Sequence, residues 1–115
     1  MAENPTDFLP LTPVAFELLL SLAGGERHGY AILRDIGARL GGQPNAGTLY
    51  RAIARLVDAG VIEEEAGEET AGEGDGRRRY YRLTGLGRAV LTAEAARLER
   101  AVAAARARDI LPGTV

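Results

Sequence analysis

The sequence predicts a mainly α fold with a small β-hairpin, and three observations carry that prediction. Three apolar segments each stop at glycine, an acidic run is answered by an arginine- and tyrosine-rich run across a loop of Gly and Glu, and the stretch from Thr84 to Arg108 contains no proline. At 115 residues the chain has room for one core, since a single core typically serves about 100 to 200 residues. With 46% hydrophobic and 26% charged residues it has the composition of a globular protein, neither disordered nor fibrous.

The first helix is expected over Thr12 to Ala23. The Thr12 hydroxyl can cap it, Pro13 suits the first helical position because its missing N–H is not needed there, and Gly24-Gly25 ends it. A second helix is expected from about Gly29 to Leu40, where Leu33, Ile36 and Leu40 repeat at i, i+3, i+7 and Gly41-Gly42 follow. Asn45 is a cap for a third helix reaching Ala59, with Gly60 as its stop.

At about 100° per residue, Leu49, Ile53, Leu56 and Val57 of this third helix share one arc, with Tyr50 at its edge. Thr48, Arg51 and Arg55 stand opposite, spaced i, i+3, i+7 and therefore on one face. Taken alone, charged residues opposite an apolar stripe describe any solvated helix face. A hydroxyl with two cations is also what phosphates and major-groove base edges accept.

After Gly60, Val61 to Glu65 and Arg77 to Leu83 read as the two strands of a hairpin with a long tip. Alternation puts Arg79, Tyr81 and Leu83 on one face and Arg78, Tyr80 and Arg82 on the other, with Tyr81 and Leu83 expected toward the core. Three helices followed by an arginine-bearing hairpin is the layout of a winged helix-turn-helix, in which the third helix enters the major groove and the hairpin lies along the backbone.

The last helix, capped by Thr84 and running to about Arg108, would be about 36 Å long, more than so small a core can cover. Leu91, Ala95, Leu98, Val102 and Ala105 alternate in steps of four and three, the seam of a coiled pair, with Glu94, Arg97, Glu99 and Arg100 outside it. A homodimer is expected, the thin alanine seam being supplemented by contacts from helix one. The expected division is residues 1–84, an N-terminal segment with the winged helix-turn-helix DNA-binding domain, and 85–115, a dimerisation helix and tail.

Charge distribution matters more here than its sum. The net charge is −2, yet seven acids lie between Val61 and Asp75 with no base among them, which leaves fourteen arginines against nine acids elsewhere. One acidic segment thus conceals a basic remainder. Zero cysteines exclude disulfides and thiolate zinc sites, and a single His28 excludes a histidine metal cluster, so no metal or cofactor is expected. The longest apolar stretch, Val14 to Ala23, is broken by Glu17 and Ser21 and falls short of the roughly 20 residues a bilayer span needs. With no positive charge opening Met1-Ala2-Glu3-Asn4, a cytoplasmic protein without membrane association is expected.

With these elements placed, the chain resembles the PadR family of bacterial transcriptional regulators. The match rests on Leu-Leu-Leu-Ser-Leu-Ala at 18 to 23, Arg-His-Gly-Tyr-Ala-Ile at 27 to 32, Gly-Thr-Leu-Tyr-Arg at 47 to 51, Arg-Leu at 55 to 56, Ala-Gly-Val-Ile at 59 to 62 and Arg-Arg-Tyr-Tyr-Arg-Leu-Thr at 78 to 84. It covers about Leu11 to Leu91, and the joint occurrence of the helix-opening and wing-closing motifs makes it specific. The resemblance implies a dimeric winged-helix repressor whose paired third helices read a two-fold symmetric operator in double-stranded DNA. It implies Thr48 and Tyr50 at backbone phosphates, Arg51 and Arg55 in the groove, and Arg77, Arg78 and Arg79 at phosphates beside the wing. The family often has proline where Arg51 stands, so a base contact from Arg51 follows from its charge and position. The acidic wing tip departs from the pattern; it would repel phosphates and is expected to point away or be disordered. With its short C-terminal tail, the chain is expected to fall among members lacking an extended effector-binding domain.

Other residues invite chemistry that their context does not support. His28 opens helix two, where packing or capping is the expected role. Gly72, Gly74 and Gly76 form no phosphate loop, since no strand-turn-helix follows and acids line it. Ser21, the one serine, sits in an apolar helix, and Glu64 and Glu65 lie at a strand end where nothing holds them in catalytic geometry, so no enzymatic activity is expected. The resemblance permits a small aromatic or amphipathic effector, for which Phe8 and Phe16 are the nearest aromatics, both expected in packing. The competing expectation is a winged-helix module that holds a protein partner and does not bind DNA.

Overall fold

The computed structural model describes residues 4–69 and 77–113. A 3-10 turn (Pro5–Phe8) leads to α1 (Pro13–Ala23), a two-residue strand β1 (Arg27–His28), α2 (Gly29–Leu40), α3 (Ala46–Asp58), strands β2 (Ile62–Glu69) and β3 (Arg77–Leu83), and α4 (Gly85–Ala107). The winged-helix layout is present, with its long final helix. β1 is a strand that the sequence reading lacks, and it makes the hairpin a three-stranded antiparallel sheet in the order β1-β3-β2.

The helix ends follow their local chemistry. Thr12 accepts the Ala15 N–H at 3.1 Å, Asn45 accepts that of Thr48 at 3.1 Å, and Thr84 accepts that of Gly87 at 3.0 Å, each satisfying a donor that the first helical turn leaves open. α2 is capped by His28, whose Nδ1 accepts the Ala31 N–H at 3.2 Å. Gly41 closes α2 at φ 81° and Gly60 follows α3 at φ 76°, left-handed backbone that favours glycine.

One core joins the four α-helices with strands β2 and β3. Leu18, Leu19 and Leu22 of α1, Ile32 and Ile36 of α2, Leu49, Ala52, Ile53 and Leu56 of α3, Val61 and Ile62, Tyr81 of β3, and Val90 and Leu91 of α4 are all buried in it. Val57, placed on the stripe by periodicity, is only half-buried, whereas Ala52, on the other flank of the stripe, is buried. Glu17 of α1 is also buried, accepting from Arg39 Nε of α2 at 2.6 Å, so the α1–α2 contact carries a charge-assisted bond.

Two features of the hairpin and α4 differ from expectation. β2 continues through Ala66 to Glu69, with an irregular register against β3 between those residues, so it takes in part of the segment read as loop. The wing tip at 70–76 lies outside the described residues. Glu94, expected outside the apolar seam of α4, is 2% exposed. It accepts the Leu11 N–H at 3.0 Å and Arg97 Nε at 2.6 Å, and so ties the N-terminal segment to α4. A buried carboxylate is tolerated here because it is both paired and hydrogen-bonded.

Candidate nucleic-acid interface

Burial of Leu49, Ala52, Ile53 and Leu56 turns the other side of α3 to solvent, and Thr48, Arg51 and Arg55 are exposed there. Arg51 reaches back one turn to the Thr48 hydroxyl at 3.4 Å. Among the described residues no acid pairs with Arg51 or Arg55, so both guanidinium groups are available to an anion or a base edge.

Tyr50, 45% exposed, stands beside the start of α2. Gly29 makes that approach possible: a Cβ there would lie 2.6 Å from the Tyr50 hydroxyl. With its Nδ1 engaged as acceptor by the α2 cap, the neutral His28 ring carries its proton on Nε2. That ring meets Tyr80 edge-on at 5.6 Å, while β1 pairs Arg27 with Tyr81 and His28 with Tyr80. The wing is thereby joined to the first turn of α2. Together His28, Gly29, Tyr30, Tyr50, Arg79 and Tyr81 line an open cleft of about 360 Å³ between α2, α3 and β3. Burial, and next the Glu64 carboxylate, push the Tyr81 phenol above its ordinary range. On the exposed side of α2 the Arg34 guanidinium lies over the Tyr30 ring, 5.8 Å from its centroid.

Arg79 forms an ion pair with Glu64 across the hairpin. Arg82 lies 3.4 Å from Glu63 and 2.6 Å from Glu65. The side chains of Arg77 and Arg78 lie outside the described ones. These cross-strand pairs go beyond the sequence expectations, although an acidic strand facing a basic one in an antiparallel hairpin is the signal that reveals them.

The residues read as a dimer seam do not share one environment. Leu91 is 8% exposed and belongs to this chain's own core. Ala95 is exposed, Leu98 and Ala105 are half-buried, and Val102 is 36% exposed. Among the described residues no helix is long and apolar enough to cross a membrane.

The model of the transcriptional regulator PadR-like family matches residues 18–93. An uncharacterized protein from Lysinibacillus sphaericus is 39% identical over 69 residues, a match spanning 58% of this chain and 61% of that protein, under two thirds of its length. A transcriptional regulator from Clostridium thermocellum superposes with a TM-score of 0.64 at 28% identity, over 87% of this chain and 90% of its own. A PadR family transcription regulator from Clostridium difficile gives 0.69 at 22% identity, over 87% of this chain and all (100%) of its own. Bacillus subtilis PadR in complex with operator DNA gives 0.63 at 23% identity, over 73% of this chain and 47% of its own. The latter two establish a shared fold.

Proposed function

Because this chain belongs to the transcriptional regulator PadR-like family, a family of regulators and not of enzymes, we propose that it is a homodimeric DNA-binding repressor of a two-fold symmetric operator. The observation that carries this reading is the exposed Thr48–Arg51–Arg55 face of α3, opposite a buried side that fixes its orientation. On this reading α3 enters the major groove. Thr48 and Tyr50 hold backbone phosphates, Arg51 and Arg55 reach base edges, and Arg77, Arg78 and Arg79 lie along the flanking backbone. The operator-bound state of Bacillus subtilis PadR supports the DNA partner.

The dimer is formed by α4, chiefly through Ala95, Leu98, Val102 and Ala105, with Leu91 at the edge where the seam meets the core. The functional division stays at residue 84, although the first turns of α4 pack in the same core as the helices before them. The protein works in the cytoplasm. A small aromatic or amphipathic effector completes the reading; Phe8 and Phe16, the nearest aromatics, pack against the core.

Fluorescence anisotropy of the purified protein on its own upstream DNA and on a scrambled duplex, each at several salt concentrations, tests the proposal. Saturable binding that prefers the upstream fragment and weakens steeply with salt is expected. No binding to either duplex at low salt rejects it in favour of a protein-interaction module.

A further inference from the structure

Two arginines of the wing, Arg79 and Arg82, are matched by carboxylates. Glu64 and Arg79 form an ion pair on the side of the hairpin that carries Tyr81, and Arg79 lines the same cleft as Tyr50 of α3. Glu63, Glu65 and Arg82 form a second set, and strand alternation puts it on the opposite side of the hairpin. The two sets thus differ in position: one borders the cleft beside Tyr50, a residue the proposed function sets at a backbone phosphate, and the other looks away from it.

A carboxylate and a phosphate compete for the same fork of guanidinium donors. While Glu64 holds Arg79, a phosphate arriving at the wing meets an occupied cation with a negative charge beside it. We propose that Glu64 acts as a built-in phosphate mimic that competes with the flanking DNA backbone for Arg79 and so lowers the sequence-independent part of the affinity. Phosphate contacts supply essentially all non-specific binding. Silencing one of them leaves discrimination to Arg51 and Arg55, which no acid covers among the described residues, and keeps the protein from being held on DNA without an operator. The inference rests on the reading of the chain as a DNA binder and adds how that binding is restrained.

Two substitutions of equal charge separate this device from a general field effect. Glu64→Gln and Glu65→Gln each remove one negative charge from β2, but only the first frees Arg79. On a fluorescein-labelled mixed-sequence duplex of about 30 base pairs at low salt, Glu64→Gln is expected to bind about threefold more tightly or better. Its log K against log salt should be steeper by about one, the signature of one added phosphate contact. Glu65→Gln should stay within about twofold of wild type, and adding Arg79→Ala to Glu64→Gln should abolish the gain. Circular dichroism melts should show all variants folded, as suits exposed side chains. Equal tightening by both glutamine variants, or no tightening by Glu64→Gln in a protein that does bind, overturns the proposal and leaves the DNA reading intact. Binding by none of the proteins at any salt overturns the DNA reading, and the proposal with it.

Discussion

Gly87 sits against the backbone of Val61 so closely that a Cβ on it would stand 1.9 Å from the Val61 carbonyl oxygen. The same oxygen accepts the Thr84 N–H at 3.1 Å and the Thr84 hydroxyl at 3.0 Å, so it cannot swing aside without breaking the cap of α4. Gly87→Ala is therefore expected to cost about 3 kcal/mol or more, at the upper end of overpacking penalties. Gly85→Ala, where a Cβ meets nothing within 4 Å, should be neutral or stabilising by up to about 1 kcal/mol. Urea denaturation of the two variants beside wild type checks both.

Gly29 and Tyr50 make a different kind of contact. A Cβ at 29 would press on the far end of the Tyr50 side chain, which is exposed and able to move. Gly29→Ala should therefore cost only about 1 kcal/mol of stability, the low end for overpacking. Its affinity for duplex DNA should fall severalfold, because Tyr50 is displaced from its proposed phosphate contact. A melt together with an anisotropy titration distinguishes this from simple unfolding, and undiminished binding would remove Tyr50 from the proposed interface.

Glu94 gives acid sensitivity with a defined sign. Arg97 and the Leu11 N–H hold its carboxyl below the usual 4.5, with Arg97 the larger cause and burial opposing them. A depressed carboxylate contributes stability that is fully present above the unfolded value and lost as pH falls through the folded one. Glu94→Gln should lose about 1.5 to 3 kcal/mol at pH 7, the worth of a hydrogen bond to a charged group. The loss should shrink as pH drops below about 4.5, which urea titrations at pH 7 and pH 3 would reveal.

Tyr81 carries the opposite dependence at high pH. Burial first, and Glu64 second, raise its phenol above 10.0. The fold thus favours the neutral form, and the stability this brings is present below the unfolded value and lost as pH rises through the folded one. In an alkaline titration followed by tyrosinate absorbance, one of the four tyrosines should ionise later than the others. Tyr81→Phe should remove that late step and leave the others in place.

The helices were legible because their ends are written in single residues. Thr12, Asn45 and Thr84 cap, Gly41 and Gly60 stop, and the structure places each where that chemistry requires. β1 was not, since an Arg-His pair has no period and becomes a strand only because β3 lies beside it. On α4 the apolar stripe reads identically whether a second helix or the chain's own core covers it, so the pattern alone does not reveal that Leu91 is buried in this chain's own core. Glu94 escaped for a related reason: its side chain says solvent, and only the distant Leu11 N–H and the neighbouring Arg97 make burial affordable. The arginines of the wing were visible in sequence, but their glutamate partners depend on strand register, which the long acidic segment hid.

The uninterrupted course of α4, from Gly87 against Val61 to Ala107 in solvent, makes it a rotational dial. One residue inserted after Arg97 would turn everything beyond it by about 100° and advance it about 1.5 Å. Seven would bring the original azimuth back to within about 20° while moving the far end outward by about 10.5 Å. Whatever the distal turns grip is thus phased to α3 in helical increments, and in the proposed dimer a graded series of insertions would shift the two heads in and out of step with the pitch of the duplex.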